Sequence, residues 1–203
     1  MELFSSKLLS SLVQIISFSA LPFVWWLVAA RKKQNFFSWI GLKGLPPGHK
    51  KQCCLTSLAV AAGFILLSVG ILRMVRGVET ATSDFAGKGV GVLPAALVYA
   101  FFNTALPEEI LFRGFLLKRL SAKFGFGAAN LVQGCLFGLL HGAMFFSTVG
   151  AVQALIVVLF TGGIGWSMGY VNEKKADGSI LPSWMIHGAA NLFSSAVAMF
   201  SLL

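Results

Sequence analysis

The sequence has 203 residues, of which 57% are apolar and only 11% are charged, and its formal net charge is +9. Soluble domains carry about 25% charged residues, so this composition excludes that class and favours a multi-pass membrane protein. The positive charge does not indicate a nucleic-acid partner, because the basic residues cluster at the ends of apolar segments, as topology signals do. The three cysteines indicate neither a disulfide framework nor a thiolate metal site.

Six apolar segments are each long enough, or nearly so, to cross about 30 Å of hydrocarbon as a helix. They predict an all-α, multi-pass transmembrane bundle with about six spans, at residues 8–30, 53–72, 90–118, 127–146, 149–171 and 180–203. The first is long for the apolar core of a signal peptide, although Val28-Ala29-Ala30 is similar to a cleavage site, and we interpret it as a retained span. Gly165 and Gly169 form a small-xxx-small pair that predicts close helix packing.

A basic segment, residues 31–52, lies between the first two predicted spans. Its glycines and its Pro46-Pro47 pair are typical of turns, and His49 within it is expected to be solvated rather than functional. The aromatic residues that precede the turn are expected at the headgroup level: Phe36, Phe37 and Trp39.

The positions of the basic residues predict the orientation of the bundle. Eleven of them are predicted on the same side of the membrane as the segment 31–52: Arg31, Lys32, Lys33, Lys43, Lys50, Lys51, Lys118, Arg119, Lys123, Lys174 and Lys175. Four lie on the other side: Lys7, Arg73, Arg76 and Lys88. The positive-inside rule therefore predicts that the segment is cytoplasmic and that both termini lie outside. Since no eukaryotic targeting signal is present, the expected compartment is a prokaryotic plasma membrane.

The third predicted span is long and contains Pro107, which is expected to kink or break the helix. Three charged residues follow the proline: Glu108, Glu109 and Arg113. Ionisable groups in hydrocarbon cost about 2.5–3.5 kcal/mol each on the insertion scale, so we expect them to pair or to take part in chemistry. Glu109 and Arg113 are four residues apart, on one helix face, and are predicted to form an ion pair.

Glu108 then remains as the free carboxylate. It is expected beside a disturbed part of the helix, where water can enter an apolar cavity, and such a setting suits a general base. The alternative is that all three charges only hold helices together. His141 is polar within another apolar segment, and His187 and Asn191 share one face of the last span. Each histidine is either a hydrogen-bonding group between helices or part of the same site.

The order and spacing of these residues resemble the three motifs of the CPBP family, which comprises the type II CAAX prenyl endopeptidases together with bacteriocin-processing and immunity proteins. The motifs are Glu108-Glu109-x-x-x-Arg113, Phe137-x-x-x-His141 and His187-x-x-x-Asn191. The resemblance covers about residues 90–203, which we interpret as the catalytic core. Residues 1–89 form an N-terminal two-span region, and the two together are expected to form one integral domain.

The resemblance implies an intramembrane endopeptidase. Glu108 would activate a water molecule held with His141, while His187 and Asn191 would stabilise the oxyanion of the tetrahedral intermediate. Glu109 and Arg113 would shape the site, and Phe137 would pack behind it.

Zinc is the alternative to a metal-free mechanism. Glu108, His141 and His187 would supply the three protein ligands of a catalytic zinc site, although the H-E-x-x-H arrangement is absent. If Glu108 bound zinc, Glu109 would have to be the base, and its predicted pairing with Arg113 argues against that role. We therefore favour a reaction without metal or other cofactor.

The predicted function is cleavage of a peptide bond close to the membrane in a lipidated or membrane-inserted polypeptide. The cleavage is expected in a cavity that opens toward the cytoplasmic half. The lipid bilayer and this polypeptide are the expected partners. One alternative is a proton-coupled transporter, in which the same residues would relay ions, but only one helix break is evident where paired breaks are expected. The other is a non-catalytic immunity or scaffold member of the same family, against which the intact motifs argue.

Overall fold

The computed structural model describes residues 1–45, 48 and 50–203. These residues form helices and connecting turns, without a β-strand in the described ranges. The helices, numbered in chain order, are α1 (Glu2–Ala29), α2 (Phe36–Ile40), α3 (Lys50–Met74), α4 (Gly89–Phe124), α5 (Phe126–Val149), α6 (Ala151–Lys175) and α7 (Leu181–Met199). The Pro46-Pro47 turn and His49 lie outside the described residues.

The architecture is the predicted all-α, multi-pass helical bundle. Five of the described helices are long and apolar enough to cross a membrane: α1, α3, α4, α5 and α6. The sixth predicted span corresponds to α7, which is not among these five. Its 19 residues extend about 28 Å, but it carries several polar side chains. The crossing by α7 therefore stays a prediction.

The third predicted span is one helical segment, α4, that departs from α-helical hydrogen bonding on both sides of Pro107. Residues Tyr99–Ala105 and Ile110–Leu117 are π-helical, and Leu106–Glu109 between them is α-helical. A wider π turn accommodates a proline, which has no N–H to donate. Helical dihedral angles continue on both sides of Leu106–Glu109, so the span is not broken in two.

The packing of the helices places α4 and α7 at the centre of the bundle. Helix α1 packs along α4, and α5 contacts both α4 and α6. Helix α3 packs against α6 and α7 on the other side. The two helices that carry the predicted carboxylates and the motif His187-x-x-x-Asn191 are thus neighbours.

Glycines allow α5 and α6 to approach backbone to backbone. On α6, a side chain at Gly165 or Gly169 would meet atoms of α5, so the predicted small-residue pair is confirmed. A second stripe on α5 was not predicted; side chains at its three glycines would meet α6: Gly134, Gly138 and Gly142. In lipid, small residues favour association because they let helix backbones pack closely.

The basic end of the bundle, formed by residues 30–45, 118–125 and 174–180, is tightly closed. Lys118 Nζ donates to Glu173 Oε1 at 2.8 Å and to the Gly178 carbonyl at 2.7 Å. Trp39 on α2 is buried against Arg119, whose guanidinium lies 4.1 Å from the indole centroid. Trp39 thus packs inside the bundle, while Phe37 is exposed, and the expected headgroup depth of both stays a prediction.

At the opposite end, formed by the N-terminus, residues 75–88 and the C-terminus, an ion pair fastens the 75–88 segment. Lys7 Nζ donates to Asp84 Oδ2 at 2.8 Å and lies 5.3 Å from the Tyr99 ring centroid. The hydrogen bond from Lys7, together with its charge, holds the pKa of the Asp84 carboxyl below its usual range. Phe85 beside it is fully buried, so this segment is fixed against α1 and α4.

The glycine contacts predict different effects for two Gly→Ala substitutions. Gly138→Ala places a methyl group against the Val158 carbonyl and the Gly162 backbone, neither of which can move independently. We expect a loss of about 1–3 kcal/mol, the usual cost of overpacking, seen as a lower unfolding temperature in detergent. Gly163→Ala is the matched control, because nothing lies within 4 Å of a Cβ there. Equal unfolding temperatures for the two variants would contradict this packing.

Candidate active site

Helix α7 is docked onto the first π-helical stretch of α4. Trp184 Nε1 donates to the Phe101 carbonyl at 2.7 Å, and Gly188 leaves room for the Phe101 ring. One turn further, Asn191 Nδ2 donates to Thr104 Oγ1 at 2.6 Å. A π-helical stretch alters the backbone hydrogen-bonding pattern, and side chains from a neighbouring helix can bond its carbonyl groups. This face of α7 also carries His187.

Glu109 joins the two helices inside the bundle. Its Oε1 accepts a hydrogen bond from Arg113 Nη1 at 2.9 Å and lies 3.0 Å from His187 Nδ1. Glu109 and Arg113 are fully buried, and the structure shows the ion pair that the four-residue spacing predicts. Because a carboxylate accepts, the Nδ1 atom of His187 is the donor in this contact. Glu109 Oε1 thus accepts hydrogen bonds from two partners, one on α4 and one on α7.

Phe137 packs behind the polar groups. Its ring centroid lies 4.3 Å from the Arg113 guanidinium carbon, 4.4 Å from the His141 ring centroid and 5.9 Å from the His187 ring centroid. The Arg113 contact has cation–π geometry, and Phe112 meets the same ring edge-on at 5.1 Å. Phe137 therefore keeps both imidazoles in place from one side.

Glu108 occupies a different environment from Glu109, although the two are adjacent in sequence. Successive residues of a helix point about 100° apart, and Glu108 points away from Arg113 into a cavity. Its side chain is 21% exposed, and its Oε2 lies 3.7 Å from His187 Nε2, beyond hydrogen-bond distance. The Oε2 atom has no hydrogen-bond partner among the described residues.

His141 is held by its own helix. Its Nδ1 lies 2.8 Å from the Phe137 carbonyl. A carbonyl can only accept, so Nδ1 carries the proton and, in the neutral ring, Nε2 has the free lone pair. Both histidines thus have their Nδ1 atoms bonded to the protein, which leaves their Nε2 atoms for other partners.

One cavity of about 480 Å³ brings the four predicted catalytic residues together. Its walls are mostly apolar, and its polar lining includes several hydroxyl side chains together with the four predicted catalytic residues: Glu108, His141, His187 and Asn191. The three predicted site-shaping residues, Glu109, Arg113 and Phe137, do not line this cavity and lie behind its wall.

The cavity extends toward the opposite end of the bundle, where Val75, Thr80 and Thr82 line it. This direction is away from the basic end, whereas the sequence predicts an opening toward the half that contains the basic end. The basic end is closed by buried polar contacts between α6 and α7: Asn172 Nδ2 donates to Ser183 Oγ at 2.7 Å, and the Ser183 N–H donates to Asn172 Oδ1 at 3.2 Å.

A protein-family model described as "Type II CAAX prenyl endopeptidase Rce1-like" matches residues 90–193, just over half of the chain. The chain belongs to this family. This confirms the resemblance, and all seven predicted site residues lie in the matched range. With its apolar helices, the chain is an integral membrane protein of a protease family. Comparison with curated proteins and with solved structures found no match.

The positions of the candidate ligands bear on the zinc alternative. Among the described residues, no group of three His, Cys, Asp or Glu side chains is arranged to hold a metal ion. Glu108, His141 and His187 line one cavity, but they are not brought together as the three ligands of a catalytic zinc ion. Glu109, the base that a zinc mechanism would need, is held by Arg113 and His187.

Some residues of the site were not found by the sequence reasoning. Thr104 and Tyr99 on α4 line the cavity, and Trp184 fixes α7 to α4. The only sequence signal for Thr104 was its position four residues before Glu108. The contacts that Asn191 and Trp184 make with α4 both lie in the π-helical stretch, so residue spacing alone does not predict them.

The buried ion pair predicts a charge-dependent effect on stability. Arg113→Met leaves the Glu109 carboxylate buried with His187 alone, and removal of one partner of a buried pair costs about 3–5 kcal/mol. We expect a clearly lower unfolding temperature in detergent. The double variant Glu109→Gln/Arg113→Met removes both charges and is expected to regain most of the lost stability. A single variant as stable as the wild type would contradict the pairing.

Proposed function

We propose that this Rce1-like protein is an intramembrane endopeptidase in which Glu108 activates the hydrolytic water. The supporting observation is that Glu108, His141, His187 and Asn191 line one mostly apolar cavity. Polar groups are costly inside a membrane, and a set of four around one space is better explained by chemistry than by helix association.

Glu108 is the base in this proposal because its side chain lines the cavity, whereas Glu109 lies behind the cavity wall with its Oε1 bonded to Arg113 and His187. A water molecule between Glu108 and His141 Nε2 attacks the carbonyl carbon of the scissile bond, and Glu108 takes its proton. The tetrahedral intermediate then collapses as the carbon–nitrogen bond breaks. Glu108 returns the proton to the leaving nitrogen, so the carboxylate is restored.

His187 and Asn191 stabilise the oxyanion of the intermediate. Asn191 supplies an amide N–H. His187 donates from Nε2 only when the ring carries both protons, since its Nδ1 proton is directed to Glu109. Two carboxylates lie beside this ring, with Glu109 Oε1 at 3.0 Å and Glu108 Oε2 at 3.7 Å. Before the attack both charges compensate a second ring proton, and after Glu108 has taken the proton of the water the charge of Glu109 continues to do so.

The proposed substrate is a lipidated or membrane-inserted polypeptide. The cavity lining includes Leu140 and Met144, and both side chains are also exposed on the outside of the bundle, where lipid would contact them. An apolar chain could therefore reach Glu108 from the hydrocarbon region. The proposed setting is a prokaryotic plasma membrane with the basic end cytoplasmic and both termini outside.

The proposal requires no metal. The contacts of Glu109 leave Glu108 as the carboxylate that faces the cavity, and the steps above use only side chains and water. Zinc held by Glu108, His141 and His187 is the competing mechanism, and it would remove Glu108 from the role of base.

Replacing Glu108 tests this function. Glu108→Gln keeps the size of the side chain but cannot accept the proton, so we expect cleavage to fall by about 10²–10⁴-fold. The assay uses proteoliposomes with membrane-anchored peptides, among them prenylated CAAX peptides, and mass spectrometry of the products. Glu79→Gln, at an exposed position on the loop after α3, removes the same charge and is the matched control.

Unchanged cleavage by Glu108→Gln would overturn the assigned base. A wild-type protein that cleaves none of the anchored peptides would instead favour the non-catalytic alternative. Loss of wild-type activity in a zinc chelator, followed by recovery on adding zinc, would favour the metal mechanism.

A further inference from the structure

Thr104 lies in the site but outside the three sequence motifs. It belongs to the π-helical stretch of α4, one turn before Glu108, and its side chain lines the same cavity. Its hydroxyl contacts α7, which comes from a distant part of the chain. These features distinguish Thr104 from a threonine that only satisfies its own helix.

The direction of each hydrogen bond at Thr104 follows from chemistry. Oγ1 lies 3.2 Å from the Tyr99 carbonyl and 3.4 Å from the Ala100 carbonyl. Carbonyl oxygens can only accept, so the hydroxyl proton is directed to the backbone of α4. The lone pairs of Oγ1 then accept from Asn191 Nδ2 at 2.6 Å.

This arrangement fixes which end of the Asn191 amide faces α4. Both nearby α4 groups, Thr104 Oγ1 and the Ala100 carbonyl, are acceptors for Asn191, so the nitrogen end and not the oxygen end is turned toward them. The contact with the Ala100 carbonyl is 3.5 Å, at the limit of a hydrogen bond. One N–H of Asn191 is thus held firmly by Thr104, and the other is held only weakly.

We infer that Thr104 is a positioning residue, which orients the Asn191 amide so that its second N–H can donate to the oxyanion formed in the cavity. This inference rests on the proposed function of the site, and specifically on the role of Asn191. It assigns to Thr104 an effect on the transition state and little effect on substrate binding.

The first test compares three single substitutions in proteoliposomes. Thr104→Val keeps the shape of the side chain but removes the hydroxyl, and we expect kcat to fall about 10- to 100-fold with KM changed less than about twofold. Thr104→Ser keeps the hydroxyl and is expected to retain most of the activity. Thr56→Val is the matched control, because that threonine also bonds a carbonyl of its own helix, Gln52 at 2.8 Å, but lies on α3 away from the cavity.

The second test is a double-mutant cycle with Asn191→Ala. If Thr104 acts through Asn191, then adding Thr104→Val to Asn191→Ala lowers kcat by no more than about twofold. An independent structural role would instead lower kcat by the same factor in both backgrounds, and that result would overturn the inference. Unfolding temperatures of all variants identify any loss that arises from misfolding.

The outcomes separate this inference from the proposed function. Full activity in Glu108→Gln would overturn the role of Glu108 as the base, and a wild-type protein without cleavage activity would overturn the function itself. An inactive Glu108→Gln with a fully active Asn191→Ala would leave the function standing and overturn the role of Thr104. If Thr104→Val does not fold, Thr104→Ser decides the matter, since loss of kcat in a folded Ser variant contradicts positioning by the hydroxyl and retained kcat supports it.

Discussion

The buried carboxylate of Glu109 is the constraint on which the rest of the site depends. It accepts from Arg113 on its own helix at 2.9 Å and from His187 on α7 at 3.0 Å. A fully buried charge in a membrane bundle must be compensated, so these contacts fix the distance and the rotation between α4 and α7. They also distinguish the two adjacent carboxylates, because Glu109 is bonded to two partners while Glu108 faces the cavity.

The π-helical stretch before Pro107 forms the surface of α4 against which α7 packs. Side chains from α7 bond the α4 backbone and Thr104 there, through Trp184 and Asn191. π-Helical turns occur frequently at functional sites, and here such a turn lies within one helical turn of Glu108. Pro107, which disturbs α4, thus lies close to the contacts that position α7 and to residues that line the cavity.

The sequence predicted those features that depend on local spacing and composition. The all-α bundle follows from hydrophobic segment lengths, the Glu109–Arg113 pair from a four-residue spacing, and the family from three ordered motifs, all of which the structure or the family comparison supports. Features that depend on how helices rotate and tilt against each other were not predictable. They include the direction in which the cavity extends, the contacts made by Thr104 and Trp184, and the burial of Trp39.

The tautomer of His187 tests the central contact most directly. Nitrogen-15 NMR of histidine-labelled protein in lipid bilayers distinguishes a protonated Nδ1 from an unprotonated one, and comparison with His187→Gln assigns the signal. The contact with Glu109 predicts a proton on Nδ1 of His187 and a changed Nδ1 signal in Glu109→Gln. A neutral ring protonated only on Nε2, unaffected by Glu109→Gln, would contradict the account.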